Sequence, residues 1–261
     1  MLAKKLDTSS RADSKISLIG PLSVMRLNRI EAVELVQAAL EQRAQLDIAI
    51  CNAHTALTAF EDADYAAVLG KMTLLNDGIG VNLANKILHG VGFPDNLNGT
   101  DLVPFILENI DRPLRIYLLG AKDTQVNLAK VHLEKMYPAH VIVGHRNGYV
   151  SEADCPDVCA KISAVKPDLL LVAMGNPRQE KFIVENRHHL DVGVTIGVGA
   201  LFDFLSGSVA RAPSVIRAIG LEWLFRLAQE PRRLVYRYAI GIPKFLIVIL
   251  KLKFGLKPLR S

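Results

Sequence analysis

The sequence predicts an α/β protein, a Rossmann-like, mostly parallel sheet flanked by helices, with a helical basic C-terminal appendage. Short apolar runs alternate with amphipathic stretches through most of the chain, which is typical of strand–helix repeats. The predicted strand Asp168–Ala173 is apolar at every position after Asp168, as expected for a strand that is covered on both faces. After about Pro213 only helical patterns remain.

Each predicted strand is a short apolar run, and each predicted helix is an amphipathic stretch. The first helix has the sequence of a capping box, with Asn28 as N-cap and Glu31 three residues later. The predicted domains are a flexible polar arm at 1–14, a Rossmann-like domain at 15–212 and a helical appendage at 213–261. The predicted strands are Ser17–Ile19, Asp47–Cys51, Met72–Leu75, Arg115–Leu119, Val141–Val143, Asp168–Ala173 and Gly193–Ile196. The predicted helices are Arg29–Arg43, Thr55–Leu69, Val81–Leu88, Leu102–Asn109, Thr124–Met136, Glu152–Val165, Arg178–His188, Ser214–Glu230 and a segment from Arg232 onward.

The composition excludes several classes of protein. Half of the 261 residues are hydrophobic, which excludes a disordered chain. Three cysteines are too few for a disulfide framework and favour a cytoplasmic location. The charge is divided unevenly: residues 211–261 hold 11 Lys and Arg against two acids, whereas the remainder holds 20 bases and 24 acids. A mildly acidic body therefore carries a strongly basic tail.

The basic tail admits three interpretations. Its uncharged apolar run after Pro243 extends only from Phe245 to Leu250, whereas a spanning helix needs about 20 apolar residues. A helix that lies in the interface of an anionic membrane, with its bases reaching lipid phosphates, fits this pattern. The alternative is a core helix with a solvated basic edge. Nucleic acid is not predicted as a partner, because the aromatic residues of the tail do not alternate with its Lys and Arg residues as they do in proteins that bind single strands.

Ligands of open α/β sheets bind beyond the carboxyl ends of the strands, so the residues after each predicted strand are the candidate site. Asp77 follows one strand and stands beside Gly78 and Gly80, which permit tight turns and close approach of a ligand. An ordinary Asp-Gly turn is the alternative. Gly120 opens a loop that leads into a helix, where backbone N–H groups are able to bind phosphate; a plain βα loop is the alternative.

Two further strand ends carry polar side chains. Asn176 and Gln179, together with Arg178, lie at the start of a helix, and three hydrogen-bonding side chains are more than a cap requires. Asp203 stands between two phenylalanines in an apolar segment, where a carboxylate must be paired or bound. Asp203 is thus either a ligand contact or a buried structural acid bonded to backbone amides.

Other motifs lack the context that their chemistry requires. Asp62 and Asp64 form an Asp-x-Asp pair, but within a predicted helix residues two apart point in different directions, so no metal site is predicted. Cys155 and Cys159 lack the second ligand pair of a zinc site. No GxGxxG, P-loop or GxSxG motif is present, which disfavours a dinucleotide-dependent oxidoreductase, an ATPase and a serine hydrolase. No cofactor is predicted.

Three blocks of sequence resemble the WecG/TagA/CpsF family, glycosyltransferase family 26, from about Ala49 through Phe245. The blocks are Asn76-Asp-Gly-Ile-Gly80 with Asn98-Gly-Thr-Asp101; Gly175-Asn-Pro-Arg-Gln-Glu180; and Gly197-Val-Gly-Ala-Leu-Phe-Asp-Phe-Leu-Ser-Gly207 continuing to Arg211-Ala-Pro213, Gly220-Leu-Glu-Trp-Leu224, Arg226 and Gln229-Glu-Pro-Arg-Arg233. The resemblance implies a metal-independent inverting transferase. Such an enzyme moves a hexose from a UDP-sugar donor onto a polyprenyl-diphosphate-linked saccharide acceptor at the cytoplasmic face of the bacterial inner membrane.

The resemblance also implies roles for individual residues. Asp77 matches the proposed catalytic base, and Asn52, Gln179 and Asp203 match positions that line the donor pocket. Four C-terminal arginines resemble those of an appendage that closes over the site and meets the diphosphate and the membrane: Arg226, Arg232, Arg233 and Arg237. A guanidinium suits that task because its planar fork binds phosphate oxygens in pairs. A homo-oligomer is compatible with the sequence.

Three positions of the donor region depart from the family pattern. Asn96 stands where members often have an arginine before Asp101, Ile50 replaces a threonine, and Asn76 replaces a proline before Asp77. The sequences Asn-Asp-Gly at 76–78 and Asn-Leu-Asn-Gly-Thr-Asp at 96–101 resemble those of the GumM-like branch. UDP-glucose is therefore the expected donor, for exopolysaccharide assembly. The alternatives are a UDP-ManNAc or UDP-ManNAcA transferase of teichoic-acid or common-antigen type and, from another class, an inactive membrane-bound scaffold.

Overall fold

The computed structural model describes residues 15–213, 216 and 222–256. In this part of the chain an eight-stranded sheet has the order β1-β2-β4-β3-β8-β7-β5-β6. β1 is antiparallel to β2, and the other neighbours are parallel. The strands are β1 (Ile16–Ile19), β2 (Leu22–Met25), β3 (Leu46–Cys51), β4 (Thr73–Asn76), β5 (Arg115–Gly120), β6 (Val141–Arg146), β7 (Leu169–Ala173) and β8 (Val194–Gly197). The α/β prediction is confirmed.

Helices cover both faces of this sheet. The predicted capping box of the first helix is present: the Asn28 side chain accepts from the backbone N–H of Glu31, and the Glu31 side chain accepts from that of Asn28. The helices are α1 (Arg29–Glu41), α2 (Ala53–Glu61), α3 (Ala63–Leu69), α4 (Gly78–His89), α5 (Gly99–Asn109), α6 (Asp123–Met136), α7 (Cys155–Ala164), α8 (Arg178–Glu185), α9 (Leu201–Leu205), α10 (Glu222–Gln229), α11 (Pro231–Tyr236) and α12 (Ile242–Lys253). A π-helical turn, Arg237–Gly241, joins the last two.

Two apolar layers hold the helices on the sheet. Alternate side chains of one strand enter opposite layers, because successive residues point to opposite faces. Ile48 and Ile50 pack with α1, α5 and α6, whereas Ala49 and Cys51 pack on the other face with α2, α3 and α4. Every residue of β7 is buried, which explains its continuous apolar run.

Two sequence predictions about local structure are wrong. The single helix expected over Thr55–Leu69 is interrupted at Asp62, which leaves helical geometry (φ −119°, ψ 104°) and accepts a hydrogen bond from the backbone N–H of Tyr65. Asp62 is therefore a helix cap, a favoured role for aspartate. The strand β2 was also not predicted: it forms a hairpin with β1 through Gly20, whose φ is +61°.

The C-terminal helices pack on the body of the protein. Phe245 and Ile249 of α12 are fully buried against α2 and α4, and the ring of Phe245 stacks on that of Phe60 at 6.2 Å. Ile247 and Leu250 are exposed, so the apolar run has one core face and one open face. Within the described ranges no helix is long and apolar enough to cross a bilayer. The arm predicted at 1–14 and most of the first half of the predicted helix Ser214–Glu230 lie outside the described residues.

Candidate active site

A cleft of about 470 Å³ opens beyond the carboxyl ends of the parallel strands. Its walls come from the loops after β3, β4, β5, β6, β7 and β8, the position where open α/β sheets bind ligands. Seven of the predicted site residues line it, although they are spread over 185 positions of the chain: Asn52, Asp77, Asn176, Gln179, Asp203, Arg226 and Arg237.

Asp77 is a carboxylate of this cleft whose pKa is raised by burial. It follows β4 directly and precedes α4, but its side chain makes no cap hydrogen bond. The Nδ2 of Asn52 donates to its Oδ2 at 3.5 Å. Burial raises the pKa of Asp77 to about 6, while the bond from Asn52 and the charge of Arg237 act in the opposite direction. A carboxylate with such a pKa is suited to accept a proton near neutral pH.

Asn52 is held in one orientation by its neighbours. Its Oδ1 accepts from the backbone N–H groups of His54 and Thr55 at 3.0 and 3.1 Å, as the N-cap of α2, and from Nη2 of Arg237 at 3.1 Å. With the oxygen committed to donors, the amide nitrogen is turned toward Asp77. One amide therefore joins the candidate base to a C-terminal arginine.

Two C-terminal arginines reach the cleft. Arg237 meets Asn52, and the guanidinium of Arg226 lies 5.3 Å from the ring centre of Phe204, a cation–π contact. Both line the cleft. Arg232 is exposed and lies outside the cleft lining, and the side chain of Arg233 is outside the part of the chain that the structure describes.

Five predicted residues lie beside the cleft instead of on its lining, and each has a structural contact. The side chain of Asn96 accepts from the backbone N–H of Gly78 at 2.8 Å and so caps α4. A Cβ at Gly80 would lie 2.9 Å from that of Ala53. Gly120 also supports the fold, because a Cβ at this position (φ +148°) would collide with the backbone of Ala173. Asp101 accepts a hydrogen bond from the Asn98 amide and forms an ion pair with Arg211.

Several lining residues were not predicted. His54 lies in the first turn of α2, and burial together with Arg237 lowers its pKa to about 4, so its imidazole is neutral. Tyr149 follows β6 and is 64% exposed at the rim. The Oε1 of Gln125 is buried without a hydrogen-bond partner in the structure. The strand-end rule could have found Tyr149, but the other two lie inside helices, where sequence gives no sign of the cleft.

No group of three or more His, Cys, Asp or Glu side chains among the described residues is arranged to hold a metal ion. Asp62, the first member of the Asp-x-Asp pair, caps α3 and lies 3.8 Å from Lys181. Cationic side chains line the cleft, those of Lys122, Arg178, Arg226 and Arg237, and such groups suit an anionic ligand such as a diphosphate.

Comparison with known proteins identifies the family of this chain. The model of the glycosyl transferase WecG/TagA/CpsF family matches residues 17–258. Two similar proteins, from Bacillus spizizenii and Bacillus subtilis, are each named N-acetylglucosaminyldiphosphoundecaprenol N-acetyl-beta-D-mannosaminyltransferase. Each is 34% identical over 214 residues, which is 81% of this chain and 81% or 82% of the relative. A Staphylococcus aureus protein of the same name is 32% identical over 143 residues, 55% of either chain. The chain therefore belongs to the WecG/TagA/CpsF family and is a glycosyltransferase, as the sequence resemblance implied.

Proposed function

We propose that this protein is an inverting, metal-independent transferase that moves N-acetylmannosamine from UDP-ManNAc onto a polyprenyl-diphosphate-linked N-acetylglucosamine. The proposal depends above all on the position of Asp77, whose carboxylate has a pKa of about 6 and lies in a strand-end cleft with Arg226 and Arg237. The names of the 34% identical relatives support the sugar and the acceptor.

In this reaction Asp77 acts as the general base. As the acceptor hydroxyl attacks the anomeric carbon, its proton passes to the carboxylate of Asp77, and a new C–O bond forms on the face opposite to the leaving group. The bond from the anomeric carbon to the β-phosphate oxygen breaks, and UDP leaves with the electron pair. Arg226 and Arg237 stabilise the charge that develops on the diphosphate. Base catalysis of this kind contributes roughly 10²–10⁴-fold in rate.

The wall of the cleft formed by the loop after β6 and the start of α6 offers groups for the nucleoside. Tyr149 presents an exposed ring on which a base is able to stack. Lys122 adds a positive charge at the start of α6.

The expected donor UDP-glucose is replaced in this proposal by its alternative. The GumM-like interpretation depended on Asn76, Ile50 and Asn96, but Asn76 donates to the backbone carbonyl of Asp95 and Asn96 caps α4. Two of the three departures are therefore explained by local structure. The relatives that the chain matches over 81% of its length are named as mannosaminyltransferases.

A donor screen tests the proposal. Wild-type protein is given a short polyprenyl-diphosphate-GlcNAc and, separately, UDP-ManNAc, UDP-glucose, UDP-GlcNAc and UDP-uronic acids, and UDP release and the lipid product are measured. We expect turnover with UDP-ManNAc at least about tenfold above that with each other donor, a difference of about 1.4 kcal/mol. Preference for another sugar would refute the donor assignment. Absence of both UDP binding and turnover would favour the inactive scaffold.

We further propose that the end of α12 meets an anionic membrane surface at the cytoplasmic face. Phe254 and Leu256 are 74% and 58% exposed beside Lys251 and Lys253, a combination that suits the lipid interface. We expect Phe254→Ser with Leu256→Ser to reduce co-sedimentation with phosphatidylglycerol vesicles, with turnover on a soluble short-chain acceptor unchanged. Unchanged sedimentation would contradict this proposal. Deletion of the tail is a poor test, because it also removes Arg237 and the core residue Phe245.

A further inference from the structure

A buried carboxylate lies directly behind the wall of the cleft. Glu180, in the first turn of α8, is 0% exposed, and its neighbours Tyr65 and Gln179 are 0% and 1% exposed. Burial raises the pKa of Glu180 to about 7, so this acid is a costly group to keep in the interior. The transfer reaction above does not use it. Its hydrogen bonds indicate what it does.

Three side chains donate to Glu180. The amide nitrogens of Asn176 and Gln179 donate to its Oε1 at 2.6 and 2.7 Å, and the hydroxyl of Tyr65 donates to its Oε2 at 3.1 Å. An ionised carboxylate only accepts hydrogen bonds, so it fixes which end of each amide faces it. The opposite orientation would place an amide oxygen against a carboxylate oxygen.

This constraint decides what the cleft presents to a ligand. Asn176 lines the cleft, and its amide nitrogen has one contact to Glu180 and a second, at 3.4 Å, to the hydroxyl of Tyr65. With both amide hydrogens directed inward, Asn176 offers its oxygen, a hydrogen-bond acceptor. A ligand group that meets it must therefore be a donor, such as a hydroxyl or an N–H.

The second amide, that of Gln179, connects Glu180 to the loop after β8. Gln179 donates to Glu180 and accepts, through Oε1, from the backbone N–H of Gly199 at 3.1 Å. Gly199 belongs to the loop after β8, which lines the cleft with Ala200. A Cβ at Gly197 would lie 2.9 Å from the Gln179 amide, so the glycine leaves room for this contact.

We propose that Glu180 is a positioning residue for the donor site, which holds the Asn176 amide and, through Gln179, the Gly199 loop in the orientation that binds the nucleotide sugar. This inference rests on the proposed function, since it assigns the cleft to a UDP-sugar. Because Glu180 acts through the position of Oε1, which accepts from both amides, the length of its side chain should matter more than its charge. Two substitutions separate these properties.

The test compares Glu180→Gln with Glu180→Asp by calorimetric titration with UDP at pH 8. Glutamine keeps the length, and its oxygen is able to accept from both amides while its nitrogen donates to Tyr65, so we expect a Kd within about threefold of wild type. Aspartate keeps the charge but is one methylene shorter, and we expect its Kd to rise about tenfold or more. At saturating donor, kcat should change less than KM. The reverse order, with glutamine weakened and aspartate normal, would overturn the inference in favour of a purely electrostatic role.

Four further comparisons make the result interpretable. Equal Kd values for wild type and both variants, with only the Tm changed, would show a merely structural role and also overturn the inference. If wild type itself binds no UDP, the proposed function fails instead. In the Asn176→Ala background the cost of Glu180→Asp should shrink, since the carboxylate acts through that amide; additive costs would contradict this. Should Glu180→Asp fail to fold, Tyr65→Phe keeps the carboxylate and frees its Oε2, and we expect the Kd for UDP to rise about threefold.

Discussion

Asp77→Asn tests the chemistry of the cleft directly. With a pKa of about 6, the ionised fraction of Asp77 is about 0.9 at pH 7 and about 0.1 at pH 5, so we expect kcat/KM of wild type to fall about tenfold over this interval. The amide keeps the shape of the side chain but cannot accept the proton. Its kcat at pH 8 should be roughly 10²–10⁴-fold lower, and this low rate should lack the acidic limb.

The same substitution has a second, opposite effect on stability. A rise of the pKa from 3.8 to about 6 in the folded state means that ionised Asp77 opposes folding. The penalty is absent below the ordinary pKa and grows as the pH rises through the folded pKa, to at most roughly 3 kcal/mol. The cleft leaves Asp77 partly accessible, so the real value is smaller. We expect Asp77→Asn to have a higher Tm than wild type at pH 8 and no advantage near pH 3.

The assay follows UDP release with a lipid-diphosphate acceptor, together with thermal unfolding at both pH values. Asp64→Asn is the matched control, because Asp64 is exposed on α3 and belongs to the rejected Asp-x-Asp pair; we expect it to retain wild-type turnover. Near wild-type turnover of Asp77→Asn, or an acidic limb that persists in it, would refute Asp77 as the base. Loss of activity in Asp64→Asn would reopen the metal hypothesis.

Three further predictions concern the appendage and the first helix. Arg237→Lys keeps the charge but loses the planar guanidinium that reaches Asn52, so we expect the Kd for UDP to rise about tenfold. Arg232 is exposed, and Arg232→Lys should leave the Kd unchanged. Titration of both variants with UDP measures the two Kd values. Phe245→Ala removes a fully buried ring and should lower the free energy of unfolding, measured by urea unfolding, by about 3–5 kcal/mol. Phe254 is 74% exposed, so Phe254→Ala should change this free energy by less than about 0.5 kcal/mol. Similar losses of unfolding free energy in the two variants would mean that α12 is not docked on the body. Asn28→Ala should cost about 1 kcal/mol in the same assay, and no loss would mean that the capping box does not stabilise α1.

Local sequence was sufficient for much of the fold because its signals are short-ranged. The apolar run of β7 and the capping box at Asn28 depend on residues a few positions apart, and both are present in the structure. Asp62 carried a cap signal as well, but the surrounding amphipathic pattern outweighed it, and the helix break was missed. The strand β2 was missed although its hairpin partner β1 was predicted, because β2 is defined by its pairing with β1 and β4 and not by its own four residues.

The strand-end rule found part of the cleft for the same topological reason. Parallel strands place their carboxyl ends at one edge, so Asp77, Asn176 and Asp203 were predictable from position alone. Position does not distinguish a lining side chain from a supporting one. Asn96 and Gly120 were predicted to meet the substrate, yet one caps α4 and the other permits a close approach to Ala173.

The sequence by itself determined the α/β class, the family and the set of loops that form the cleft, because periodicity, caps and motifs are properties of neighbouring residues. Only the tertiary structure decided that Arg237 meets Asn52, 185 positions away, and that Phe245 belongs to the core. Only folding buries Glu180 behind Asn176 and desolvates Asp77. Burial and long-range contact depend on the arrangement of the whole chain, and they set both the pKa of the candidate base and the orientation of the amides that surround it.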